Sequence, residues 1–130
     1  IRCSVTCASL TDFTTHFEFP FALVDVTLDR APDIEPMGEI RVSVKVTNRR
    51  AVLDNKPYCL TTRWWLPDGF TVKGKQNAIL FHKNSHNPGG CTLEYTLTAG
   101  ETVAATNRCV LEIVAEGRPA PMYIPVTLLG

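Results

Sequence analysis

The sequence lacks an excess of either charge, because its 13 Lys and Arg residues are balanced by 13 Asp and Glu residues. Binding to nucleic acids or to anionic membranes usually needs a basic surplus. No stretch approaches the roughly 20 apolar residues that cross a bilayer. No Asn-x-Ser/Thr acceptor for N-glycosylation occurs either. The balanced charge and the lack of a long apolar run argue against nucleic-acid and membrane partners.

Recognisable catalytic and metal-binding motifs are also missing. One pair of histidines is spaced i, i+4 in a turn-like stretch without a nearby carboxylate, and two acidic pairs fall short of the six to eight oxygens that calcium takes. No serine, histidine or cysteine lies in a hydrolase motif. We therefore expect no catalytic residue, no metal and no cofactor, and a chain that is not itself an enzyme. The pairs are His82 with His86, Asp25 with Asp29, and Asp33 with Glu35.

The cysteine count is five, so the thiols cannot all pair within the chain. Cys3, Cys7, Cys91 and Cys109 share the phase of apolar neighbours, where a free thiol behaves as a small hydrophobe. Buried thiols and a cytoplasmic location are the favoured interpretation. A single disulfide, with an extracellular location as in an adhesion module, is the alternative.

Strict alternation of apolar and polar residues is the main pattern of the chain. In the run 40–48, Ile40, Val42, Val44 and Val46 would be buried while the residues between them contact water. Six further runs alternate in the same way (2–7, 23–28, 58–66, 91–98, 108–115 and 123–129), and 70–73 and 78–82 are weaker candidates. Aromatic residues recur at alternate positions over residues 13–21, as in a strand. Pro20 lacks a backbone N–H, which an edge strand would tolerate.

Turn residues separate these runs, which is typical of an all-β sandwich. The sequence predicts an immunoglobulin-like β-sandwich of two antiparallel sheets with seven to eight strands. We expect one domain over residues 1–130. Because the sequence begins at Ile1 without an initiator Met, we expect this domain to be excised from a larger protein; a mature secreted protein is the alternative.

Two adjacent tryptophans must point to opposite faces of a strand. Trp64 shares its phase with Leu60 and Leu66 and is expected in the core. Trp65 shares its phase with Arg63 and is expected on the outer face, where it could contact another domain, pack within this one or stack on a sugar. A sugar platform also needs a second aromatic residue, which the sequence does not place.

Three short motifs resemble the immunoglobulin-like accessory domains of bacterial glycosidases, the alpha-galactosidase-associated type. They are Gly38-Glu39 before a strand ending in Val46-Thr47-Asn48, the corner Leu66-Pro67-Asp68-Gly69-Phe70, and Ala99-Gly100-Glu101. Asp68 and Phe70 depart conservatively from the family's Leu-Pro-Glu-Gly-Trp corner. We expect Gly38 and Gly100 to adopt positive φ, and Pro67 to take the second position of a turn.

The closing segment 118–126 is similar to the tails of bacterial ADP-ribosylglycohydrolase-like proteins. These resemblances imply a non-catalytic, C-terminal accessory module of a larger bacterial enzyme. It would pack on the catalytic domain of the parent protein or mediate self-association, with Arg63, Trp65, Arg118 and Tyr123 as contact residues. The alternative is a carbohydrate-binding module that uses exposed Trp65.

Overall fold

A computed structural model describes residues 13–19, 22–48, 58–80, 90–116 and 120–130. The expected strand at 2–7, with Cys3 and Cys7, and the positions of His82, His86 and Arg118 lie outside these ranges. Within them, no helix is long and apolar enough to cross a membrane. The described residues form nine strands: β1 (Phe13–Glu18), β2 (Ala22–Leu28), β3 (Glu39–Asn48), β4 (Tyr58–Trp65), β5 (Thr71–Gly74), β6 (Asn77–Leu80), β7 (Gly90–Thr98), β8 (Thr106–Ala115) and β9 (Met122–Leu129).

The strands form two antiparallel sheets. One has five strands in the order β1-β2-β3-β7-β5, and the other has four in the order β6-β4-β8-β9. The sandwich predicted from the sequence is confirmed. The described residues contain nine strands rather than seven or eight, because both weak candidates are strands and residues 13–18 form one as well. β1 lies at a sheet edge, and Pro20, which raised that possibility, is outside the described residues.

The core lies between the sheets and follows the predicted phases. In β3, the four alternate side chains from Ile40 to Val46 are each at most 1% exposed. Leu93 of β7 and Leu111 of β8 are fully buried in the same layer. Burying a side chain of this size contributes roughly 1.5–3 kcal/mol relative to leaving it exposed. A strand with period two therefore gains its packing energy from one face alone.

The three motifs of the accessory-domain resemblance meet at one end of the sandwich. The N–H of Ala99 donates to the carbonyl of Gly38 over 2.8 Å, and the N–H of Met37 donates to the carbonyl of Gly100 over 2.9 Å. A Cβ on Gly100 would lie 3.0 Å from Cα of Gly69. These motifs thus build one backbone corner, which is a structural role.

This corner corrects two expectations about its turns. Gly38 and Gly100 do not adopt positive φ; Gly69 does, at 83°. Gly100 is needed because backbone approaches it closely, leaving little room for a side chain. The N–H of Phe70 donates to the carbonyl of Pro67 over 3.1 Å, so Pro67 takes the first position of the turn rather than the second.

Strand β9 forms an edge of the four-stranded sheet although it contains Pro125. The backbone N–H of Leu129 donates to the carbonyl of Pro32, and the carbonyl of Leu129 accepts from the backbone N–H of Ile34. The polar backbone groups of Leu129 therefore point away from β8. The backbone groups of Thr127 and Pro125, two and four positions earlier, point the same way because successive strand residues alternate in direction. Pro125 therefore lacks a donor only on the open edge, and the ladder with β8 loses nothing.

Candidate functional site

Exposed apolar side chains concentrate on the outer face of the four-stranded sheet. Among the described residues, seven large hydrophobic side chains are exposed. Leu23 and Met37 are the two that lie elsewhere. The other five point outward from β4, β6, β8 and β9: Trp65, Ile79, Val114, Tyr123 and Leu129. Such a concentration is typical of a surface that binds something.

The strand register shows which of these side chains are neighbours. Trp65 pairs with Val110 of β8, which pairs with Pro125 of β9, so these three form a row across the sheet. In the next row, Arg63 pairs with Glu112 and Glu112 pairs with Tyr123. We call these six residues the Trp65 face: Arg63, Trp65, Val110, Glu112, Tyr123 and Pro125.

Two polar contacts fix the indole of Trp65. The guanidinium carbon of Arg63 lies 4.1 Å from the ring centroid, a cation–π stack. The indole nitrogen of Trp65 donates to a carboxylate oxygen of Glu112 over 3.2 Å. The side chain is 48% exposed despite these contacts. A large apolar ring is thus held in one orientation at the surface, which lowers the entropy lost when a partner binds it.

A small cleft opens beside this ring. It has a volume of about 360 Å³ and is bounded by Trp65, Pro67, Thr106, Arg108 and Val110. This volume is near the lower limit of small-molecule pockets. Its open, largely apolar wall suits one side chain of a partner better than a whole cofactor.

The structure brings together three of the four residues predicted to make contact. Arg63, Trp65 and Tyr123 share the Trp65 face, with Tyr123 54% exposed. Arg118 lies outside the described residues. Their role in binding stays a prediction. Sequence reasoning missed Val110 and Pro125, although Val110 lies on the polar phase of β8, where an apolar residue is a detectable exception.

A buried polar contact joins the two sheets beneath this face. The hydroxyl of Tyr95 on β7 donates to Thr62 on β4 over 2.9 Å, and the Thr62 hydroxyl donates to the carbonyl of Gln76 over 3.1 Å. Burial raises the pKa of Tyr95, and the Thr62 bond partly offsets this. Trp64 packs edge-on against Tyr95 with ring centroids 5.3 Å apart. Its buried indole nitrogen has no hydrogen-bond partner among the described residues.

The cysteines of the described residues are free thiols in different environments. Cys109 is fully buried, Cys91 is half-buried and Cys59 is exposed. Burial raises the pKa of Cys109 to about 11 and raises that of Cys91. The prediction that Cys91 and Cys109 point inward is confirmed. A raised pKa leaves little reactive thiolate at neutral pH.

The acidic residues considered for calcium make local contacts. Asp25 lies opposite His16 in the β1–β2 ladder and contacts its Nδ1 at 2.5 Å. Asp29 accepts a hydrogen bond from the backbone N–H of Arg41 over 3.1 Å. Within the described ranges, no group of three or more His, Cys, Asp and Glu residues is placed to hold a metal ion.

Comparison with known proteins gives structural likeness alone. No protein-family model matches the chain, and no curated protein does. A FixG-related protein from Vibrio parahaemolyticus superimposes with a TM-score of 0.58 at 10% identity, covering 82% of this chain and 94% of that one. The GAE domain of GGA2p from Saccharomyces cerevisiae superimposes with a TM-score of 0.51 at 18% identity, covering 88% of this chain and 96% of that one. The yeast GGA1 GAE domain superimposes with a TM-score of 0.54 at 11% identity, covering 90% of this chain and 99% of that one.

The fold is an immunoglobulin-like β-sandwich. At these identities the likeness carries no residue roles and no ligand. What this sandwich does must be inferred from its own surface.

Proposed function

We propose that the chain is a non-catalytic protein-interaction domain that binds through the Trp65 face. The observation that carries this proposal is the row of Trp65, Val110 and Pro125, continued by exposed Tyr123 on the same face. Nothing in the sandwich requires these side chains to be apolar, since the core lies on the opposite side of the same strands. Rigid aromatic residues beside an Arg are the composition of interface hot spots.

The finer part of the proposal is that this domain belongs to a larger bacterial enzyme. The support is the resemblance of its corner motifs to alpha-galactosidase-associated accessory domains, and of segment 118–126 to ADP-ribosylglycohydrolase-like tails. In this proposal the parent protein is cytoplasmic, and the Trp65 face packs on its catalytic domain or on another copy. Free thiols at Cys59, Cys91 and Cys109 are compatible with a reducing compartment.

Site-specific photo-cross-linking in the producing cells tests the proposal. A photoreactive phenylalanine analogue would replace Trp65 in the native full-length protein, and the same analogue at Leu23 is the control. Leu23 is 36% exposed but lies on the other sheet. We expect a discrete adduct from position 65 alone, and mass spectrometry would show whether it joins the catalytic domain, a second copy or another protein. Equal adducts from both positions, or none from position 65, would refute the interaction surface.

Carbohydrate binding is the second candidate function because the structure supplies a second exposed aromatic residue. Tyr123 lies on the same face as Trp65, two strands away and two residues along the strand, which corresponds to about 12 Å. Against it, Arg63 already stacks on the Trp65 ring and covers one of its faces. A glycan array decides: this function predicts a sugar signal that Trp65→Ala abolishes and Leu23→Ala retains.

A further inference from the structure

The charges around the cleft beside Trp65 carry an inference about the partner's chemistry, and it rests on the proposed interaction function. The cleft is lined by one cation, Arg108, and by no carboxylate. Arg108 is exposed and has no ion-pair partner among the described residues. It lies two residues from Val110 along β8, so both side chains point to the same face.

The carboxylates nearest to this cleft do not neutralise it. Glu112 accepts the indole N–H of Trp65, and Arg63 lies opposite Glu112 in the ladder. Glu116 is six residues from Val110 along the strand, which corresponds to roughly 20 Å. Asp68 follows Pro67 in the turn but does not line the cleft. The lining of the apolar cleft therefore carries one positive charge, that of Arg108, although the net charge of the whole chain is zero.

A second copy of this chain is a poor occupant of the Trp65 face. A two-fold interface brings the same patch of both subunits together, so Arg63 and Arg108 of both copies would lie in one interface. Like charges that meet across an interface cost binding energy. Glu112 offers one counter-charge per copy against the two positive charges of Arg63 and Arg108, so an excess of positive charge would remain between the copies.

We infer that the cleft beside Trp65 receives an apolar side chain from an acidic protein segment that is not another copy of this chain. The apolar side chain packs against Trp65, Pro67 and Val110, and a neighbouring carboxylate of the partner pairs with Arg108.

Peptide binding followed by NMR tests this inference. The probes are two synthetic peptides of equal length, each with a central leucine, flanked by glutamates in one and by lysines in the other. The chain has two tryptophans and therefore two indole N–H signals, which a Trp65→Phe variant assigns. We expect the glutamate peptide to shift the Trp65 signal and leave that of Trp64 in place, and the lysine peptide to shift neither.

Charge reversal provides the matched variants. Arg108→Glu should lower the affinity for the glutamate peptide roughly threefold to tenfold, with a smaller effect at high salt. Arg41→Glu changes an exposed arginine on the other sheet and should leave the affinity unchanged. Equal shifts from both peptides, no shift from either, an unaltered Arg108→Glu variant, or dimerisation of the isolated chain through this face would each overturn the inference.

The two failures are distinguishable. If position 65 cross-links in cells but the charge of the peptide makes no difference, the partner is not acidic and the interaction surface stands. If position 65 gives no specific adduct, the interaction surface itself is wrong.

Discussion

The bond between Tyr95 and Thr62 allows a double-mutant cycle whose outcome depends on the direction of one hydrogen bond. Tyr95 is 4% exposed and Thr62 is 6% exposed, so neither hydroxyl readily exchanges its partner for water. Tyr95 donates to Thr62, and Thr62 donates onward to the carbonyl of Gln76. Valine for threonine and phenylalanine for tyrosine remove these hydroxyls with little change of shape.

The two single variants should differ in stability. Tyr95→Phe removes one hydrogen bond but leaves Thr62 donating to Gln76, so it should cost about 1 kcal/mol of unfolding free energy. Thr62→Val leaves the buried Tyr95 donor without a partner, and an unsatisfied donor adds about 1–3 kcal/mol. Gln76 still accepts the backbone N–H of Thr62, and the Lys75 carbonyl, which accepts the Thr62 hydroxyl over 3.3 Å, belongs to an exposed residue that water can reach. We expect Thr62→Val to lower the free energy of unfolding by about 2–3 kcal/mol, which corresponds to a fall in Tm of roughly 6–15 °C.

The double variant provides the decisive measurement. Once Thr62 is valine, replacing Tyr95 with phenylalanine removes the orphaned donor and should cost nothing or restore stability. Urea unfolding of the four proteins should therefore give a coupling free energy of about 1–2 kcal/mol. Additive losses, or a larger loss from Tyr95→Phe than from Thr62→Val, would refute the assigned donor and acceptor.

Three further perturbations follow from the fold. Because burial raises the pKa of Cys109 to about 11 from 9.0, its protonated thiol stabilises the folded state below pH 9 and this contribution is lost as the pH rises to 11. Thermal unfolding should show a loss of stability across that window, to which Cys109 contributes about 2–3 kcal/mol beside Cys91 and Tyr95, so Cys109→Ala should reduce the loss. Gly100→Ala places a Cβ 3.0 Å from Gly69 and should cost about 1–3 kcal/mol in urea unfolding, whereas exposed Glu101→Ala should cost little. Trp64→Phe removes a buried, unpartnered N–H but also part of the ring that packs on Tyr95, so the net loss in urea unfolding should stay within about 1–2 kcal/mol, and a loss above about 3 kcal/mol would contradict this.

Local pattern was sufficient to predict most of the core. The phase of β3 identifies Ile40 and Val44 as buried because a strand's period of two is set by the backbone itself. The same reasoning placed Trp64 inward and Trp65 outward. Each of these inferences needs only a few consecutive residues. The edge position of β1 did not follow in this way, because Pro20 made an edge acceptable without requiring it and lies beyond the end of β1 at Glu18.

Contacts between segments that are distant in the chain could not be predicted from the sequence alone. Trp65 and Glu112 are joined by a hydrogen bond although 47 positions separate them, and the register that pairs Trp65 with Val110 depends on the whole sheet. The role of Gly100 was misjudged for the same reason. Its small size matters because the backbone of Gly69, far away in the chain, packs against it.

The contrast between the two outer faces is the strongest physical argument for a binding role. Both faces belong to strands that already bury one apolar side, so folding places no demand on the other. On the five-stranded sheet, β3 and β7 expose Arg41, Lys45 and Glu94. On the four-stranded sheet, the outward positions include Trp65 and Tyr123 beside Arg63 and Arg108. Exposed aromatic residues favour aggregation unless they are covered. Among the described residues, the large exposed aromatic side chains lie on this one face, which is best explained by a partner that covers it.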